Sequence, residues 1–197
     1  MKFPALLLGI LVSLPLFAQE SRDSAYLAAR DAFRAGDRAK LERAAGQLGN
    51  HELAPYVENY QLRINMANGD SGAMRAFLER HERTYVAEKL RADWIRWLGK
   101  GGNWSEIAVE YPKLIAPETD VTCYYQQARL ADGDKTVLDD VQKLWLTMLE
   151  PPEACRAVLE ALVHDNRMTA DDVWARTRRQ LEANRPGPAR VTLAALP

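Results

Sequence analysis

Residues 133–166 read GDKTVLDDVQKLWLTMLEPPEACRAVLEALVHDN and span one full period of the chain, from turn to turn. Leu138, Val141, Trp145 and Met148 recur at three- and four-residue steps, the spacing that lines one face of a helix. Pro151-Pro152 interrupts the run, and Cys155, Val158, Leu159 and Leu162 then start a second stripe of the same period. Gly133-Asp134 and Asp165-Asn166 bound the stretch with residues that tolerate turn and left-handed backbone. The stretch reads as two amphipathic helices folded into a hairpin, each requiring a neighbour to cover its apolar face.

The same punctuation recurs upstream at Gly36-Asp37, Asn68-Gly69-Asp70 and Gly101-Gly102-Asn103. Successive breaks fall 33, 33, 31 and 33 residues apart, with room for two helices in each interval. Repeats of this length are the mark of stacked helical hairpins, whose neighbours together build one continuous core. Val86, Leu90, Trp94 and Trp97 make a further stripe. Asn103 with Glu106 and Thr169 with Asp172 have capping-box spacing, and Pro152 fits a first helical turn. Strand-like alternation is scarce. The expected class is all-α, an α-solenoid of stacked hairpins, with an irregular helical bundle as the competing arrangement. After Pro186-Gly187-Pro188, residues 189–196 begin another apolar helix in which Val191, Leu193 and Leu196 have no following partner. The array is therefore expected to be truncated at its C-terminus.

Residues 1–18 read differently. Lys2 supplies a positive charge, Phe3 to Phe17 is almost wholly apolar, and Ala18 precedes the polar Gln19-Glu20-Ser21-Arg22-Asp23. That order describes a secretory signal peptide at 1–18, leaving 19–197 as the mature helical domain with no membrane span. The whole chain has 26 Lys and Arg against 27 Asp and Glu, with 47% hydrophobic and 27% charged residues. Such a balance excludes disorder and argues against nucleic acid as a partner. Cys123 and Cys155 are an even pair in a chain bound for an oxidising space, which favours a disulfide. Two free buried thiols are the alternative. A zinc site is disfavoured because no His lies near either Cys in sequence.

No catalytic motif is present: no HExxH helix, Gly-x-Ser-x-Gly elbow, phosphate-binding glycine loop or EF-hand loop. His51, His81 and His164 are scattered in polar settings that suit surface or helix-end roles. Asp139-Asp140 and Asp171-Asp172 sit at adjacent positions, which point to different faces of a helix and do not converge. Tyr124-Tyr125 and Trp104 are candidates to show an edge to a sugar or peptide. No catalytic, cofactor-binding or metal-binding residue is assigned.

The stretch Thr122-Cys123-Tyr124-Tyr125, Leu144-Trp145-Leu146-Thr147 and Pro152-Glu153-Ala154-Cys155 resembles the N-terminal helical domain of the soluble lytic murein transglycosylases. Leu53-Ala54-Pro55-Tyr56 and the run from Leu90-Arg91 through Trp97-Leu98 to Asn103-Trp104 extend the resemblance over nearly all of residues 19–197. It implies a periplasmic chain whose hairpins curve as a right-handed superhelix into an open ring or U. It also implies peptidoglycan glycan strands and a lysozyme-like catalytic domain of the same longer chain as partners. In that family the lysozyme-like domain cleaves peptidoglycan with one Glu, acid then base, to give a 1,6-anhydro sugar without cofactor or metal. Its Glu-Ser, Gly-Leu-Met-Gln and Ala-Tyr-Asn-Ala-Gly motifs have no counterpart here. Glu20-Ser21 is expected to be a chance match in no helix and no cleft. The expected function is a non-catalytic part in peptidoglycan turnover that positions glycan strands. A stand-alone periplasmic repeat module that binds a protein or glycan is the alternative.

Overall fold

The computed structural model describes residues 14–68 and 70–196. The leader expected at 1–18 lies outside the described residues up to position 13; positions 14–18 are the first residues of helix α1. Among the described residues the secondary structure is helical, without strands.

The chain divides into two compact units, with the boundary between Leu90 and Arg91. The first holds α1 (Leu14–Arg34), α2 (Arg38–Leu48), α3 (Ala54–Ile64), α4 (Ser71–Arg80) and the start of α5 (Tyr85–Lys100). Its core is rich in alanine: Ala25, Ala29 and Ala32 of α1 meet Leu41, Ala44 and Leu48 of α2 and Val57 of α3. Small side chains at three- and four-residue steps let the helices approach closely. Phe33 stacks on Tyr60 with ring centroids 4.6 Å apart, and the Arg63 guanidinium lies 5.0 Å from the centre of the Phe33 ring. Burial and the neighbouring Tyr26 push the Tyr60 phenol up to about 12.

The second unit holds the rest of α5, then α6 (Trp104–Glu110), α7 (Thr119–Ala131), α8 (Val137–Thr147), α9 (Arg156–His164), α10 (Ala170–Glu182) and α11 (Pro186–Leu193). α6 packs on α7, α8 on α9, and α10 on α11, as consecutive hairpins do. Its core gathers Val137, Leu138, Val141 and Trp145 of α8, Val158 and Leu162 of α9, and Val173 of α10. A disulfide between Cys123 and Cys155, with Cα atoms 4.9 Å apart, ties α7 to the short turn of helix before α9.

The turns explain the period. Gly36, Gly102, Gly133 and Asn166 have φ of 69°, 70°, 86° and 52°. At each, the left-handed residue donates its N–H three residues back and the next residue donates five residues back, as Gly36 to Phe33 and Asp37 to Ala32 do. This closes the orphan carbonyls of the preceding helix within the chain's own backbone. Asn184, φ 57°, repeats the arrangement after α10. α10 begins with the expected box: the Thr169 hydroxyl accepts from Asp172 N–H at 3.1 Å, and the Asp172 carboxylate accepts from Thr169 N–H at 3.0 Å. At the other expected cap, Asn103 precedes α6 but its side chain makes no capping bond. Pro152 sits one residue before the short helical turn rather than inside it.

Candidate functional site

Several residues singled out in the sequence take places that their local pattern did not show. Trp97 leaves its stripe and is 40% exposed, while Val86, Leu90 and Trp94 are buried as expected. Glu20-Ser21 lies within α1, in helix and exposed, against the expectation of a non-helical position. His51 is buried rather than on the surface. The N–H of Leu53 donates to its Nδ1 at 3.0 Å, so Nε2 carries the proton and donates to Asp23 at 2.7 Å. The ring thereby fixes the entry to α3 against α1. His81 ends α4 beside Phe77, and His164 ends α9.

The adjacent carboxylates do not converge. Asp139 pairs with Arg167 at 2.8 Å, Asp140 with Arg129 at 3.2 Å, and Asp172 is committed to the α10 cap. An acidic group must sit above its ordinary pKa to donate a proton near neutrality. Here Asp120, Asp134, Asp165 and Asp172 all lie below theirs. Asp120 is held down by Arg96, Asp134 by Thr136 and Arg129, Asp165 by Lys135 and Arg167, and Asp172 by hydrogen bonds from Thr169. Glu110 is buried against Arg91 and also takes a bond from Lys113 at 2.7 Å. Among the described residues no group of three or more His, Cys, Asp or Glu is placed to hold a metal ion. No helix among them is long and apolar enough to cross a membrane.

Around the disulfide the aromatic residues are spoken for. Tyr125 stacks on Tyr111 at 4.1 Å, and the Tyr111 hydroxyl donates to Thr122 at 3.0 Å. The Tyr124 ring lies over Gly99 of α5, where a Cβ would overlap it, and burial pushes its phenol up. Tyr124, Tyr125 and Trp104 are each half-buried, so the edges expected to meet a ligand are only partly open.

One concavity of the second unit was not foreseen. An open groove of about 890 Å³ runs between the α8–α9 connection, α9, α10 and α11. At its base α10 closes the C-terminal end of α8. Arg176 donates to the Trp145 carbonyl, Arg179 to the Leu146 carbonyl, and Gln180 to the Leu149 carbonyl at 2.7 Å. Cationic and amide donors there satisfy carbonyls that the helix leaves open and oppose its negative end. Thr192 of α11 joins them, accepting from Arg176 Nε at 3.3 Å and donating to Gln180 Oε1 at 2.7 Å. Burial and the neighbouring Arg179 bring the Arg176 guanidinium down to about 10. Sequence reading missed this site because Arg176, Arg178 and Arg179 look like a solvated face.

The fold and site define an α-helical hairpin array with a polar-floored groove. Solved structures share that fold. The chain is similar to the 70 kDa soluble lytic transglycosylase of Escherichia coli, with a TM-score of 0.76 and 20% identity over 91% of this chain and 29% of that one. It is similar to the same kind of enzyme in complex with bulgecin A, with a TM-score of 0.75, 20% identity and coverage of 90% and 29%. An inactive mutant of the lytic transglycosylase Slt from Pseudomonas aeruginosa gives 0.72, with 26% identity over 88% of this chain and 28% of that one. This chain thus spans less than a third of the length of each. The resemblance read from the Cys-Tyr-Tyr and Leu-Trp-Leu-Thr stretches is borne out at the level of the fold. No protein-family model and no curated protein matches the sequence.

Proposed function

We propose that residues 19–197 act in peptidoglycan turnover as the helical part of a periplasmic soluble lytic transglycosylase. In this reading 1–18 is a signal peptide, and the helical array positions glycan strands for a lysozyme-like domain carried elsewhere. The observation that carries the reading is the fold likeness to three lytic transglycosylase structures across 88–91% of this chain. Holding a long strand near a tethered active site raises its effective concentration without adding chemistry.

Purified residues 19–197 incubated with murein sacculi test it. The expected result is retention on sacculi with no 1,6-anhydromuropeptides released. Release of those products, abolished by changing a single Glu of this chain, overturns the non-catalytic reading. Failure to be retained overturns the positioning role.

A further inference from the structure

Helix α10 carries two stripes. Val173, Arg176, Thr177 and Gln180 are buried, on the side that packs against α8 and α11. Trp174, Arg178 and Leu181 follow one another at steps of four and three residues, so they line up on the solvent side over about 10 Å of helix. Trp174 is 49% exposed and Leu181 is 54% exposed. Neither Trp174 nor Arg178 makes a side-chain hydrogen bond, ion pair or ring contact among the described residues. Single exposed apolar side chains are ordinary on a protein surface. A Trp and a Leu on one line with a free guanidinium between them make a different pattern, because Trp and Arg are the side chains that most often carry binding energy where proteins meet.

The charge around the stripe is one-sided. Residues 174–197 hold five Arg and one Glu, whereas residues 91–173 hold nine basic and fifteen acidic residues. Arg176 and Arg179 donate to backbone carbonyls, which satisfies their N–H groups and leaves their charge. Arg185 meets Glu150 at 3.6 Å, with both side chains exposed. Glu182, one turn beyond Arg178, does not pair with it. The surface therefore calls for negative charge opposite Arg178 and apolar side chains on either side of it. A bilayer is the poorer match, since Asp171 and Glu182 bracket the stripe and repel a sheet of anionic headgroups. A protein helix needs to place only one carboxylate.

We propose that this stripe docks an acidic amphipathic helix of a partner protein. The partner sets apolar side chains on Trp174 and Leu181 and a carboxylate on Arg178, with the same four-and-three spacing. The inference uses only α10 and the charge around it, and stands apart from the cell-wall reading.

The probe is a synthetic alanine-based helix with the stripe Leu-x-x-x-Glu-x-x-Leu, titrated into the full chain and followed by calorimetry. A second peptide has Lys in place of Glu, and vesicles of anionic phosphatidylglycerol are tested in parallel. Saturable binding of the Glu peptide, weakened by added salt, is the expected result. Trp174→Ala and Arg178→Glu each weaken it at least about tenfold, the loss that marks a central interface residue. Helical circular dichroism stays unchanged in both variants, because neither side chain belongs to the core. No saturable binding of the Glu peptide, equal binding of the Lys peptide, or full binding to Arg178→Glu overturns the assignment. Vesicle binding that the same substitutions abolish, without peptide binding, gives the stripe to a membrane surface and overturns the protein partner.

Discussion

Gly99 of α5 and Tyr124 of α7 are in such close contact that a methyl group at position 99 would lie 2.2 Å from Cδ1 of the tyrosine ring, well inside van der Waals contact. Gly99 is buried inside a helix, where alanine would ordinarily be preferred by about 1 kcal/mol. The close approach reverses the sign. Gly99→Ala is expected to destabilise the protein by about 1–3 kcal/mol through overpacking. Urea denaturation measures it, and Tyr124→Leu in the same chain should recover much of the loss. A neutral or stabilising Gly99→Ala would show that α5 and α7 are not packed this closely.

Arg91 and Glu110 form an ion pair in the interior of the second unit, with side chains 6% and 1% exposed. Removing one charge leaves the other buried alone. Glu110→Gln is expected to cost about 3–5 kcal/mol, well above an exposed pair such as Arg80 with Glu58. The double change Arg91→Met with Glu110→Leu should lose less than Glu110→Gln alone. Denaturation midpoints for the three variants decide it.

The Cys123–Cys155 bridge closes a separation of 32 residues in sequence. Chain entropy gives roughly 3–4 kcal/mol for a loop of that size. Reduction is expected to lower the melting temperature while leaving helix content at low temperature nearly unchanged. Free reaction of both thiols with an alkylating agent in the native, unreduced protein would exclude the bridge.

Acid should weaken the fold through groups that can be named. Asp120 beside Arg96 and Asp172 in the α10 cap are both held below the ordinary carboxylate value in the folded chain. The unfolded chain therefore takes up protons first as pH falls. Their stabilisation is complete above about pH 4–5 and declines as pH drops through their folded values. Thr169→Ala, which removes the hydroxyl of the cap, is expected to cost about 1 kcal/mol at neutral pH. Denaturation at pH 7 and pH 3 checks both points: Asp120→Asn should differ from the unaltered protein less at pH 3 than at pH 7.

The stacked-hairpin reading rested on Gly36, Gly69, Gly102, Gly133 and Asn166. Gly69 lies outside the described residues, and the positive φ of the other four is a property of those residue types themselves. Arg83, φ 62°, takes the same conformation in the turn before α5 with nothing in its identity to announce it. Thr169 and Asp172 were legible because their bond spans three residues. His51 was not, since the carboxylate that buries it comes from Asp23, 28 positions away. Trp97 kept the helical period yet lies at the last turn of α5, where nothing covers it fully. The groove was the least legible part. It depends on α8, α9, α10 and α11 at once, and periodicity describes one helix at a time.

The turn geometry bears on how quickly the chain becomes native. Each left-handed turn is closed by bonds that reach only three and five residues back, and in the second unit the helices pair with their neighbours in sequence. Contacts of that kind give a low contact order, and low contact order goes with fast folding because little loop entropy is lost before each gain. A hairpin can thus dock as soon as its neighbour in sequence is there to cover its apolar face. The cysteines lie one period apart in successive hairpins, so the covalent link is expected to close once those two have docked.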